Sequence, residues 1–247
     1  MWHEELSGRK GGDVASSYIK VCQHVSDTFE DTRGIIIWAD NCTGQNKNWY
    51  LYTVLVQFIN ASSSLEWITL KYLKVGHTFM TADAVHGAIG RRIKKRMLPT
   101  FYSFKKECAA SMKNIEVIEM QLGDFLTIQK QNRISSPKEP ALRLDSIVQA
   151  TFKRGESSVW VKTSFLGEET EFKILKKCFL KSNMWNVLPE KVNERRGIPA
   201  TKKNGIMGTL PKEISPEDKD FRDSLTVNDN SLDQRERRIN EQLIFFK

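Results

Sequence analysis

Cysteine is sparse and badly placed for cross-linking. Cys22, Cys42, Cys108 and Cys178 form no CxxC pair, which argues against a zinc ribbon and against a disulfide-dense secreted scaffold. Long apolar runs are missing too: nothing approaches the ~20 residues that a bilayer-spanning helix needs. The first residues hold no basic, apolar, cleavable leader pattern. These absences predict a chain that neither enters a membrane nor is secreted, and that works in a reducing nucleus or cytoplasm. Acidic residues are scarce in one region. Residues 91–130 carry 9 Lys+Arg against 4 Asp+Glu, and residues 131–188 carry 10 against 6. Residues 1–90 reverse the balance, with 7 against 9. An acidic stretch beside a basic flank suits a cation site next to a polyanion track, or simply a solvated basic face.

What is present is an α/β pattern. Ile35-Ile36-Ile37-Trp38-Ala39 is a short apolar run that predicts a strand buried on both faces, ending at Asp40. A carboxylate at the C-terminal end of a buried strand, followed by a Gly-containing turn, sits where open α/β sheets place their chemistry. There Asn41, Gln45, Asn46 and Asn48 are placed to orient a ligand, a metal-bound water or the turn itself. The plainer alternative is an Asx-capped turn. Residues 13–25 have helical spacing. Trp49 to Asn60 is apolar nearly all round and predicts a buried helix. Ile68 to Val75 alternates as a second strand and leads to Gly76-His77-Thr78. Thr81 is placed to cap a helix in which Asp83, His86 and position 90 share one face. That helix runs into Arg91, Arg92, Lys94, Lys95 and Arg96, with Phe101, Tyr102, Phe104, Lys105 and Lys106 beyond. Positioned Lys and Arg are all that phosphate binding requires, and the aromatics either stack on a base or pack in the core.

Later segments predict a helix over 104–113 and a short strand over 116–120. A boundary falls at 131–140, where two prolines and two serines break all periodicity. Strand-like stretches follow at 147–152, 158–163 and 171–175. From residue 189 mixed charge predicts a largely flexible tail, with a terminal helix over 233–246.

Three motifs in order, Asp40-Asn-Cys-Thr-Gly-Gln-Asn-Lys-Asn, Gly76-His-Thr and Asp83-Ala-Val-His86, resemble those of the transposase-derived, RNase H-like domains of eukaryotic genomes. The opening Glu4 to Ser17 is similar to the segment those domains carry before the Asp-Asn strand. The resemblance implies an RNase H-like mixed sheet flanked by helices over residues 1–130, a linker at 131–140, a small β-rich accessory module at 141–188 and the tail at 189–247. It also implies two-metal phosphoryl transfer on DNA, using Mg²⁺ or Mn²⁺ held by carboxylates. Asp40 would be the second acid and Asp83 the third, or its neighbour. His86 would orient a water or phosphate, and His77 would fix its turn. Two departures stand out. Gly90 occupies a place where the family often has Glu, and the hairpin carrying the first acid would lie before Met1. The expectation is therefore an N-terminally incomplete core in which cleavage is lost and DNA affinity is kept through residues 91–106. The alternative is a domesticated, non-catalytic DNA- or protein-binding module. A homo-oligomer is compatible with either.

Overall fold

The structure is a computed structural model that describes residues 1–42, 45–73, 80–128, 143–182, 184–209 and 215–228. It is a mixed α/β chain, and it divides into two compact units, each drawn from separate stretches of sequence. One comprises Arg9–Phe79 and Gly123–Val192; the other comprises Met1–Gly8, Met80–Leu122 and Asn193–Lys247.

The first, the sheet unit, begins with helix α1 (Gly11–Thr28), strand β1 (Gly34–Ala39), helix α2 (Trp49–Ala61) and strand β2 (Trp67–Tyr72). β1 and β2 pair in parallel, with Ile35 opposite Ile68 and Ala39 opposite Tyr72. Parallel neighbours need a crossover, and α2 supplies it. Leu51 through Ile59 are all buried, as expected for a helix without a polar face. Its start is set by Asn48, whose side chain accepts the Leu51 N–H at 2.9 Å.

Strands β3 (Gln149–Lys153), β4 (Val159–Lys162) and β5 (Thr170–Phe172) follow, then the short helix α5 (Lys177–Lys181). They were expected as an accessory module, but they pair antiparallel onto β2 and complete one five-stranded sheet in the order β1-β2-β3-β4-β5. Local patterning places a strand but not its partner, which here lies about 80 residues upstream. The inner face gathers Ile68, Leu70, Ala150, Phe152, Val159 and Val161 against Ala15, Ile19 and Cys22 of α1 and the whole of α2.

The outer face corrects the reading of β1 as buried on both sides. Ile36 and Trp38 are 50% and 51% exposed. Neighbouring outward residues on β2 and β3 are polar: Thr69 and Thr151 share a 3.2 Å hydrogen bond, and Lys71 lies 5.4 Å from the Trp38 ring. A run of five apolar residues thus reads as fully buried when it is an edge strand with one solvated face.

In the second, the helical unit, helix α3 (Thr81–Ile93), helix α4 (Phe101–Ala109), helix α6 (Ala200–Thr209) and helix α7 (Pro216–Asp223) are joined by buried polar ties. Glu5, 1% exposed, receives Arg195 through both oxygens at 3.0 and 3.1 Å. Gly197, at φ +72°, donates its N–H to the Glu5 carbonyl at 2.9 Å. Asp218, at the start of α7, is buried and bonds Thr100, the residue that caps α4. Residues 193–228, expected as part of a flexible tail, therefore contribute two helices and a buried anchor, Ile198, which bridges Val227. Helix α4 begins three residues earlier than expected because Thr100 provides the cap. The strand expected over 116–120 is absent from the described residues. The 131–140 linker, the Gly76-His77-Thr78 turn and the terminal helix over 233–246 lie outside the described residues. No helix among the described residues is long and apolar enough to cross a membrane.

A close approach makes one glycine indispensable. A Cβ on Gly34 would lie 2.0 Å from the Trp67 ring on β2. Gly34→Ala must push that ring out of register, and overpacking of this kind costs about 1–3 kcal/mol. Urea denaturation should show a lowered midpoint with an unchanged slope. An unshifted midpoint would contradict the β1–β2 register.

Candidate functional site

At the C-terminal end of β1 the chain makes a tight turn. The carbonyl of Cys42 accepts the N–H groups of Gln45, Asn46 and Lys47 at 3.3, 2.8 and 3.2 Å. Asp40 is half-buried at the head of this turn. Its Oδ1 accepts the Cys42 N–H at 3.1 Å and the side-chain amide of Asn46. Those are the bonds of an Asx turn, so the plainer reading of Asp40 has direct geometric support. The Asn41 Oδ1 is buried without a hydrogen-bond partner among the described residues. Gln45 is exposed and offers its carbonyl to the Asn48 amide at 2.8 Å.

Behind Asp40 lies a polar network that the sequence reading did not anticipate. Asn46 Oδ1 accepts the Tyr18 hydroxyl at 2.9 Å, and the Asn46 carbonyl accepts the Tyr72 hydroxyl at 2.8 Å. Tyr72 in turn shares a 3.1 Å bond with Tyr52. Lys47 is buried, with Nζ 4.6 Å from the centre of the Tyr72 ring and 3.2 Å from the Asp145 carbonyl. These groups come from α1, the turn, α2 and β2. Tyr18, Tyr52 and Tyr72 look like ordinary core aromatics in sequence, and no spacing signals that the hydroxyls of Tyr18 and Tyr72 converge on Asn46 with Tyr52 bonded behind Tyr72.

Burial sets the acidities here. It holds the Tyr18 phenol up at about 12, with the Asp40 carboxylate adding to the effect. It also raises the phenols of Tyr52 and Tyr72 and lowers the basicity of Lys47. The network consists of protonated phenols and amides at neutral pH, which orient groups rather than exchange protons. For a metal the donor set is poor. The side chains bonding Asp40 and its partner Asn46 are amide and phenol, and no group of three or more His, Cys, Asp or Glu suited to an ion occurs among the described residues. Mg²⁺ is usually held by one or two carboxylates with waters and phosphates, but Asp40 is the one carboxylate side chain in this network and its Oδ1 is taken up by Cys42 and Asn46, so these residues do not fit a Mg²⁺ or Mn²⁺ pair.

Asp83 belongs to the helical unit, whereas Asp40 belongs to the sheet unit. Asp83 is exposed and accepts the Met80 N–H at 2.7 Å. It closes the first turn of α3, where its charge also suits the helix dipole. The expected cap at Thr81 is displaced by one residue, since Thr81 is already helical. His86 and Gly90 are exposed like Asp83, as their shared face requires. His77 lies outside the described residues.

The seven basic residues expected to bind nucleic acid separate into two groups. Glu107 on α4 accepts Arg92 Nε at 2.8 Å and Arg96 Nη1 at 2.9 Å, which fastens the end of α3 to α4. Lys105 pairs with Glu119. These three are committed to the fold. Arg91, Lys94, Lys95 and Lys106 are exposed and make no ion pair among the described residues. Arg91 lies in the last turn of α3, and Lys94 and Lys95 follow directly past its end at Ile93.

The tyrosine network predicts alkaline behaviour. A phenol raised above its unfolded value of about 10 leaves stability unaffected below that pH. Above it the unfolded chain ionises while the folded chain does not, so stability falls. Tyr18, Tyr52 and Tyr72, three of the five tyrosines, should give tyrosinate absorbance only as ellipticity is lost. If all five titrate while the far-ultraviolet spectrum is intact, the network is not buried as described.

No curated protein and no solved structure matches the chain. A family model described as a domain of unknown function (DUF7869) matches residues 15–140. That span runs from α1 through β1, α2 and β2 to α3 and α4, so it takes in both the Asp40 turn and the basic patch. Covering just over half of the 247 residues, the match shows that this chain belongs to the DUF7869 family.

Proposed function

We propose that the chain is a DNA-associating protein on an RNase H-like scaffold of transposon ancestry, in which binding is retained and strand cleavage is not. The observation that carries this reading is the sorting of the basic residues on α3 and α4. Two arginines are spent on Glu107, and Arg91, Lys94, Lys95 and Lys106 remain as an exposed cationic surface on helices held rigid by that same clamp. Such a surface suits a phosphate backbone, where most contacts position the partner and read no sequence. The parallel β1–α2–β2 order with Asp40 at the strand end, and Asp83 on the following helix, supports the RNase H-like comparison. The engagement of Asp40 in an Asx turn, with its Oδ1 taken by Cys42 and Asn46, supports loss of the metal-dependent step. A nuclear location follows from the partner.

Binding of duplex DNA should be detectable in EDTA and fall steeply with salt. Each phosphate neutralised contributes about 0.9 to the log–log slope. Replacing Arg91, Lys94 and Lys95 together by Ala should lower the slope by about 2–3, while Asp40→Asn and Asp83→Asn leave it unchanged. Mg²⁺-dependent strand cleavage abolished by Asp40→Asn would overturn the reading, as would binding insensitive to salt.

A further inference from the structure

The helical unit contains a cavity of about 260 Å³ that the basic patch does not use. Its wall is a cluster of three rings from three distant stretches of sequence. The His3 ring lies 5.1 Å from those of Phe101 and Phe221, tilted to the first and edge-on to the second. Phe101 and Phe221 are 6.5 Å apart at 26°. Tyr102 lines the cavity as well and is 49% exposed. Two cations, Lys105 and Arg195, two carboxylates, Glu119 and Glu217, and the hydroxyl residue Ser224 complete the lining. Both cations carry a carboxylate partner, Glu119 for Lys105 and Glu5 for Arg195.

This combination of groups narrows the ligand. An aliphatic guest would strip water from four charged side chains and return nothing. A small inorganic anion would face Glu119 and Glu217 and leave the rings unused. A quaternary ammonium ion, the usual guest of aromatic cages, would meet Lys105 and Arg195. A planar heterocycle meets all of the requirements: its π-face packs on aromatic rings, and its edge carries both donors and acceptors. The volume lies just below the range of about 300–1,000 Å³ for larger ligands, which suits a single ring system. The Nδ1 of His3 is turned toward Glu5, 3.7 Å away, and is buried with no hydrogen-bond partner among the described residues. Burial lowers the basicity of this imidazole, with Arg195 reinforcing and Glu5 opposing, so the ring stays neutral as a stacking partner.

We propose that this cavity holds one unpaired nucleobase, stacked on the ring cluster with Tyr102 at the rim, and that its flanking phosphates run along α4 toward the exposed cations of α3 and α4. The proposal rests on the DNA-binding reading above and adds that the strand is single at this point. Tyr102, Lys105 and Lys106 share α4, and Glu107 of the same helix anchors the end of α3 that bears Arg91, Lys94 and Lys95. Cavity and cationic patch are therefore parts of one compact unit.

The test uses the full chain and three labelled DNAs of equal length: a single strand, its duplex, and the same single strand with abasic sites. Stacking on an aromatic side chain is worth roughly 5- to 100-fold in affinity per base. The single strand should bind tighter than the abasic strand by that factor. Tyr102→Ala, at an exposed position, should erase the difference without changing duplex affinity or salt slope, and Tyr102→Phe should restore it. Equal affinity for strands with and without bases overturns the proposal, as does a Tyr102→Ala effect equal on all three DNAs. If none of the DNAs binds with salt dependence, the DNA-binding reading fails by itself, and the cavity is then judged by titrating adenosine monophosphate. Binding that Phe221→Ala or Tyr102→Ala weakens sustains the cavity, and no binding ends it.

Discussion

The parallel pairing of β1 with β2 is the constraint on which the sheet unit depends. Parallel strands cannot be joined by a tight turn, so the chain must leave the sheet at Asp40 and return at Trp67 through α2. The sheet closes over one side of that helix and α1 packs on it too, which is why nine consecutive residues of α2 are buried. The exit point is a forced feature, since the strand's last carbonyls and the turn's amides must find partners within a few residues. Asp40, Cys42 and Asn46 answer that need locally. Tyr72 answers it from β2 through the Asn46 carbonyl, and Tyr18 from α1 holds the Asn46 side chain. A carboxylate at such a place is therefore both a good site for chemistry and a good turn residue. Here its bonds are those of the turn.

The helical unit is tied by three carboxylates. Glu5 and Asp218 join stretches far apart in sequence, to Arg195 and Thr100, and Glu107 joins Arg92 and Arg96 across the turn between α3 and α4. Buried or half-buried carboxylates of this kind are costly to leave unpaired, so each fixes its partner's position. These ties consume some cations and leave others free. A basic run of five in six residues is thus not one surface. It is a structural pair facing Glu107 and an exterior patch facing solvent.

Legibility in the sequence varied with the range of the interaction. The helix over Trp49–Asn60, the strand ending at Ala39 and the capped start of a helix near Asp83 were readable, because apolar periodicity and capping are decided within a few residues. The turn role of Asp40 was readable as an alternative. The solvated face of β1 was not, because Ile36 and Trp38 are as apolar as buried residues and only the absence of a covering layer exposes them. The three strands after residue 147 were found individually, but their docking onto β2 depends on pairing across the sheet. Glu4 and Glu5 were noticed as part of a motif, yet their role as anchors for Arg196 and Arg195 appears only with the far end of the chain in place.

By itself, then, the sequence determined the α/β class, the non-disulfide chemistry of its cysteines, which are all free, and the position of the basic stretch. Each of these follows from composition or from contacts a few residues apart. The tertiary structure decided which cations are available, that Asp40 and Asp83 belong to different compact units, and that His3, Phe101 and Phe221 meet around a cavity. The ring cluster depends on contacts spanning roughly a hundred residues or more, and even the sorting of the cations depends on partners 11 to 15 residues away on another element, chosen by packing and desolvation, which no local pattern encodes.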